Sequence, residues 1–188
     1  MGGPPVKPYQ PEGIWNTVAY SDSNTAHFRQ DHGDALYRRS LYTFWKRTAP
    51  PPNMMIFDVP SRENCNVRRE RTNTPLQALT LMNDPQYVEA ARKLAERVLL
   101  GSSDSLAERI KRMYVFAFGI PPQNKHYTIL SESYENFLNT FQGNPSAAQN
   151  LIEVGDSYPS EFLDAAELAS MTMVANQIMN LDSFISKF

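Results

Sequence analysis

Beyond residue 75 the apolar positions recur at helical spacing, and before it they do not. Thr74 offers the hydroxyl of an N-cap, and Pro75 has the fixed φ and missing N–H that suit a first helical position. Asp84-Pro85 repeats the device and opens a helix in which Tyr87, Ala91, Leu94 and Val98 share a face, closed by Gly101 just past its end. Asp104 or Ser105 opens the next, with Leu106, Ile110, Met113 and Ala117 in line before Gly119 and Pro121-Pro122. A third helix is predicted over 123–141, apolar at Ile129, Tyr134, Phe137 and Phe141, and a short one over 146–154. The last, from Glu161 to Asn180, is apolar on most sides through Phe162, Leu163, Leu168, Met171, Met173, Val174, Ile178 and Leu181, so it is predicted to be buried. Thr172, Asn176 and Asn180 form a polar stripe along it, whose expected task is to satisfy buried carbonyls.

Residues 1–74 follow no such period and read as an extended, Pro-rich, irregular arm with one or two short helices, rich in arginine and aromatic residues. Pro4, Pro5, Pro8 and Pro11 favour extended backbone, and Pro11 is expected to open a short helix through Ile14, Trp15 and Val18. Ser21 to Gly33 reads as loop. From Asp34, the residues Tyr37, Leu41, Phe44, Trp45 and Thr48 recur at helical spacing, with Asp34 as cap and Pro50-Pro51-Pro52 as stop. The same residues are good strand formers, so a strand is the competing reading. Residues 53–70 are expected to be irregular, anchored by Met54, Met55, Ile56 and Phe57. The predicted fold class is therefore mainly α: a bundle-like helical part over 75–188 and an irregular N-terminal part over 1–74, together one incomplete domain.

Composition narrows the picture. Of the 188 residues, 41% are hydrophobic and 20% charged, as in globular and not disordered chains. A net charge of −2 argues against a nucleic-acid partner as the default. The charge is uneven: residues 1–75 hold 10 Lys/Arg against 7 Asp/Glu, and residues 120–188 hold 2 against 8. The plain expectation is that acidic and basic parts face one another within the fold. One cysteine, Cys65, allows no internal disulfide, no Cys-x-x-Cys metal knuckle and no Cys-x-x-Cys-His haem attachment. No apolar run approaches the ~20 residues of a membrane span, and no secretory signal is visible at the N-terminus, so the residues alone point to a soluble, cytoplasmic chain.

Candidate chemistry is sparse. His27, Asp31 and His32, with Asp34, are weak metal candidates; they lack a third histidine and a rigid helical spacing, and turn chemistry explains them more simply. There is no Gly-x-Ser-x-Gly elbow, no phosphate-cradling glycine loop and no evident base for Cys65, so no residue is assigned as catalytic. The strongest feature is cationic. Arg38, Arg39, Lys46, Arg47, Arg62, Arg68, Arg69 and Arg71 are interleaved with Tyr37, Tyr42, Phe44 and Trp45, and the last three arginines run into the start of the Pro75 helix. Forked guanidinium groups and a helix N-terminus both favour anions. Arg38, Arg39, Trp45, Arg68, Arg69, Arg71 and Asn73 are accordingly the candidate anion- or ligand-binding residues. The plainer and preferred reading is that the arginines make internal salt bridges and carbonyl bonds that pin irregular backbone.

Several stretches carry a resemblance. They are Gly2-Gly3-Pro4, Val6-Lys7-Pro8-Tyr9-Gln10-Pro11-Glu12-Gly13-Ile14-Trp15, the block from Tyr37 to Pro52, Phe57-Asp58, Pro60-Ser61-Arg62-Glu63, the block from Arg69 to Leu79, and Asn83-Asp84-Pro85. Met173-Val174-Ala175-Asn176 and Asn180-Leu181-Asp182-Ser183-Phe184 add to it near the chain end. Over nearly its whole length the chain resembles the C-terminal part of the domain of unknown function 1553 family, found in large planctomycete and verrucomicrobial proteins. The resemblance implies a secretion signal, a cytochrome-c-like domain and a second uncharacterised domain upstream in intact relatives. It therefore implies an extracytoplasmic setting, which replaces the cytoplasmic expectation, with haem in an upstream domain and none in this chain. No catalytic residue is carried over. Two functions follow as expectations. One is a structural or interaction module packed against upstream domains of the same polypeptide. The other is a wall of a binding or enzyme site for anionic, sulfated polysaccharide.

Overall fold

The computed structural model describes residues 2–20, 22–61, 63–68, 72–101 and 105–186. Among them are nine α-helices, two short 3₁₀ helices and no strand beyond two isolated bridges, so the fold is mainly α. The chain forms two compact units, residues 1–72 and 73–188.

The second unit holds seven helices: α3 (Pro75–Asn83), α4 (Pro85–Leu99), α5 (Leu106–Phe118), α6 (Asn124–Gly143), α7 (Pro145–Ile152), α8 (Ala165–Met179) and α9 (Asp182–Ile185). Helix α8 is the axis, packed chiefly against α4, α6 and α7. Leu168, Met171, Val174, Ala175 and Ile178 are wholly enclosed, and buried positions occur on nearly every side of the helix. A helix without a polar face lowers its free energy only by being surrounded. Its polar stripe serves the backbone, as expected. Thr172 Oγ1 donates to Leu168 O (2.7 Å), and Asn180 Nδ2 to Asn176 O (3.1 Å). Asn176 Nδ2 donates to Leu81 O (2.9 Å), one of the last carbonyls of α3, which has no partner within its own helix.

The caps follow the sequence closely. Thr74 Oγ1 accepts from Gln77 N while Gln77 Oε1 accepts from Thr74 N, a reciprocal capping box. Asp84, Ser105 and Asp164 cap α4, α5 and α8, and Gly119 ends α5 at φ 76°. Three details differ from expectation. Gly101 is not left-handed; it is small because a Cβ there would lie 3.0 Å from Arg112 Nη1 and 3.1 Å from Arg97 O. On α6 Tyr134, Phe137 and Phe141 face the core as expected, but its first buried position is Leu130 and Ile129 is half exposed. Helix α8 starts at Ala165, so Phe162 precedes it and is solvent-exposed.

The first unit contains α1 (Ile14–Val18), 3₁₀ turns at Gly33–Tyr37 and Ser40–Tyr42, and α2 (Pro52–Ile56). The N-terminal arm pairs with the segment after the second turn: Val6 N donates to Tyr42 O (2.9 Å) and Phe44 N to Val6 O (2.8 Å). Trp15 is the largest core side chain, with Phe28 edge-on at 5.2 Å and Phe44 tilted at 5.5 Å. Neither a helix nor a regular strand spans Asp34–Thr48. The helical spacing of Tyr37 and Leu41 is incidental because both are exposed, whereas Leu36 and Thr43 are buried. Helix α1 starts at Ile14 after left-handed Gly13 (φ 78°), not at Pro11. Pro50-Pro51-Pro52 is not only a stop: Pro52 occupies the first position of α2, in a stretch read as irregular.

Candidate functional site

Arg38 follows the first 3₁₀ turn, and its guanidinium reaches back to the chain start. Nη1 donates to Pro4 O (2.6 Å) and Nη2 to Gly2 O (2.5 Å), while the group lies 3.8 Å over the Tyr42 ring. Tyr42 OH accepts from Gly2 N (2.8 Å), so one arginine–tyrosine pair grips both polar groups of Gly2. Gly3 is required by contact and by conformation: its φ is 105°, and a Cβ would sit 3.2 Å from Arg38 Nη1. Beside the clasp Gly2, Arg38, Arg39, Leu41 and Tyr42 line a surface pocket of about 430 Å³. Arg39 is exposed there.

Other charged groups of this unit are spent similarly. Lys46 Nζ donates to Thr25 O (2.7 Å) and stands 4.9 Å over Trp15. Arg47 makes a two-pronged bond to Glu63, Nε to Oε1 at 2.8 Å and Nη2 to Oε2 at 2.5 Å, on the open surface. That bond holds the Glu63 carboxyl below its ordinary range and raises the Arg47 pKa. Asp58, left-handed at φ 56°, accepts from Thr72 N (2.8 Å) and from Thr72 Oγ1. The weak metal candidates do not converge: Asp31 Oδ2 accepts from Lys7 N (2.7 Å), and His27 Nδ1 pairs with Asn16 Oδ1 (3.2 Å). Among the described residues no three metal-ligating side chains gather. Trp45 is half-buried. Arg68 is exposed, and Arg69 and Arg71 lie outside the described residues. Asn73, in the second unit, donates from Nδ2 to Asp182 Oδ1 (2.6 Å), tying the start of that unit to α9.

The most concentrated charge chemistry was not singled out from the sequence. Glu89, Arg92 and Glu96 of α4 are buried. Arg92 Nη1 donates to Glu96 Oε1 (2.8 Å) and Nη2 to Ser157 O (2.6 Å) and Ser157 Oγ (3.0 Å). Ser157 N donates to Glu89 Oε1 (2.7 Å), and its hydroxyl donates to the same oxygen. Ser160 N and Lys93 Nζ complete Glu96, at 3.3 and 2.8 Å. Gly155, at φ 103°, lies so close that a Cβ would fall 2.5 Å from Glu89 Cδ. Glu89, Arg92, Glu96 and Leu99 recur at steps of three, four and three beside Ala91 and Ala95. That continuity of a charged stripe with an apolar one was the available signal. Ser157 donates its hydroxyl proton to the Glu89 carboxylate and accepts from the Arg92 guanidinium, so the arrangement holds a loop.

The family model described as PSD1, protein of unknown function (DUF1553), matches residues 1–134. The chain belongs to this family. No curated protein and no solved structure matches the chain. The DUF1553 match takes in the whole Arg38 clasp and the buried Glu89, Arg92 and Glu96, and it ends within α6. The Ser157 loop and α8 lie beyond it, as do the chain-end motifs that also carried the resemblance. Covalent haem does not fit this DUF1553 chain: c-type attachment takes two cysteines, and exposed Cys65 is the single one present. No helix among the described residues is long and apolar enough to cross a membrane.

Proposed function

We propose that this DUF1553 chain is a structural and interaction module, not itself catalytic, of a larger protein that works outside the cytoplasm, packed against further domains of the same polypeptide. The observation that carries the module reading is the Arg38 clasp. A guanidinium that spends two donors on Gly2 and Pro4 carbonyls and its face on Tyr42 fixes backbone. The pairings of Lys46, Arg47, Asp31 and Asn73 add support. The extracytoplasmic setting, and haem in a neighbouring domain, rest on the family resemblance alone. Arg38→Gln tests the module reading by melting and by titration with a sulfated oligosaccharide. The expected result is a lower melting midpoint by the same amount with and without the oligosaccharide, and no binding by the parent. Binding by the parent, with an unchanged midpoint in the variant, would overturn it.

The second reading, an anionic-polysaccharide site, is favoured by the pocket beside Arg38, where exposed Arg39 stands near an aromatic wall. It requires that Arg39→Gln weaken binding of the sulfated oligosaccharide and that added salt do the same.

A further inference from the structure

We propose that the loop of residues 153–162, between α7 and α8, docks an arginine-bearing polypeptide segment of a partner protein. Tyr158 and Phe162 on this loop are each 91% exposed. Aromatic side chains that become buried on association dominate interface energetics, so two bare ones four residues apart are ready anchors.

Their exposure does not come from a loosely held loop. Glu89, Arg92 and Glu96 grip Ser157 and Ser160 from beneath, and Lys93 Nζ holds Tyr158 O (3.2 Å). The backbone that carries the aromatics is thus fixed before any partner arrives, which reduces the ordering cost of binding. A cavity of about 520 Å³ opens beside Tyr158, lined also by Glu153, Asp156 and Glu161 among others.

Charge selects the partner. Residues 126–186 contain no lysine or arginine and eight carboxylates. The nearby cations are occupied below the loop, Arg92 by Glu96 and Ser157 and Lys93 by Glu96 and the Tyr158 carbonyl. Glu153 accepts from Gln149 Nε2 on one oxygen, Oε1 (2.5 Å), and Glu161 is exposed. An anionic ligand is repelled by this field, whereas a guanidinium gains from carboxylates and from the face of a tyrosine together. Two anchors four residues apart span up to roughly 14 Å of extended chain, a length that a polypeptide segment covers and a single small cation does not.

The inference rests on the module reading, since it supplies that module with a partner, but it uses the second unit alone. The full chain is titrated with a short peptide of alternating arginine and glycine, and with a matched peptide carrying glutamine for arginine, while backbone amide NMR shifts are followed. Expected are shifts at 153–162 with the arginine peptide alone, weakened about fivefold or more by Tyr158→Ala and by Phe162→Ala. Glu161→Gln should weaken binding and flatten its salt dependence. The melting midpoints of these exposed-site variants should match the parent. No binding, shifts elsewhere, equal binding of the glutamine peptide, or uptake of an uncharged oligosaccharide at this loop would each overturn the proposal. None of these outcomes alters the Arg38 stability result, so the two readings fail separately.

Discussion

In residues 2–68 polar side chains bond largely to backbone, and the apolar centre is small: Trp15 with Phe28 and Phe44, and Val6, Leu36 and Ala49 around the arm. In residues 73–186 one contiguous apolar core surrounds α8, and the chief polar cluster is an ion network sealed against α4. The same types of group therefore have different energetic standing in the two units. Arg47 and Glu63 form a well-shaped pair that water surrounds, where screening leaves little net stabilisation. Arg92, Glu89 and Glu96 are out of water, so each depends on the others to offset its desolvation. The exposed pair has the two-pronged geometry and the buried one does not, yet burial decides what the pairing is worth.

The largest test of that contrast is Arg92→Leu, which removes the cation between buried Glu89 and Glu96 and leaves Glu96 with Lys93. It should cost about 3–5 kcal/mol, seen as a lower urea midpoint at constant slope, while Arg47→Gln leaves the midpoint unchanged. Equal effects from the two would erase the distinction drawn between the units. A smaller effect is expected at the start of α3. Thr74→Ala removes half of the capping box and should lower stability by ~1 kcal/mol, with Thr74→Ser largely restoring it. If Thr74→Ala has no effect, α3 is held by packing and its cap is incidental.

A further effect appears only at high pH. Burial, and then the charge of Asp84, push the Tyr87 hydroxyl up to about 12 from 10.0. The folded state thus keeps a proton that the unfolded chain releases first. The resulting stabilisation is complete below pH 10 and is lost as pH rises toward about 12. Melting midpoints measured across that window should fall, and Tyr87→Phe should fall less steeply. Identical slopes for the two proteins would show that Tyr87 titrates in the folded state as it does in water.

Legibility differed between the units for a physical reason. The second announces itself because helix caps and the 3.6-residue period are local: Thr74-Pro75, Asp84-Pro85 and the all-round apolar α8 are readable without knowing any neighbour. The ion network escaped because a charged stripe on α4 looks like a solvated face until the loop carrying Ser157 and Ser160 closes over it. In the first unit, Asp34–Thr48 mixes helical spacing with strand-forming residues, and the choice between them was made by the pairing of Val6 with the Tyr42–Phe44 segment. No local pattern encodes that pairing.

Of the candidate binding residues, the sequence determined their kind and the structure decided their occupation. Guanidinium forks near aromatic rings were plain from Arg38, Arg39 and Tyr42. That Arg38 spends its donors on Gly2 and Pro4, more than thirty residues earlier, is a long-range fact. The sequence by itself settled where α3 and α4 begin, because a cap and its first turn are neighbours along the chain. Only tertiary structure settled which charges are buried and which aromatics, such as Tyr158 and Phe162, stay bare, because burial depends on atoms brought from distant positions.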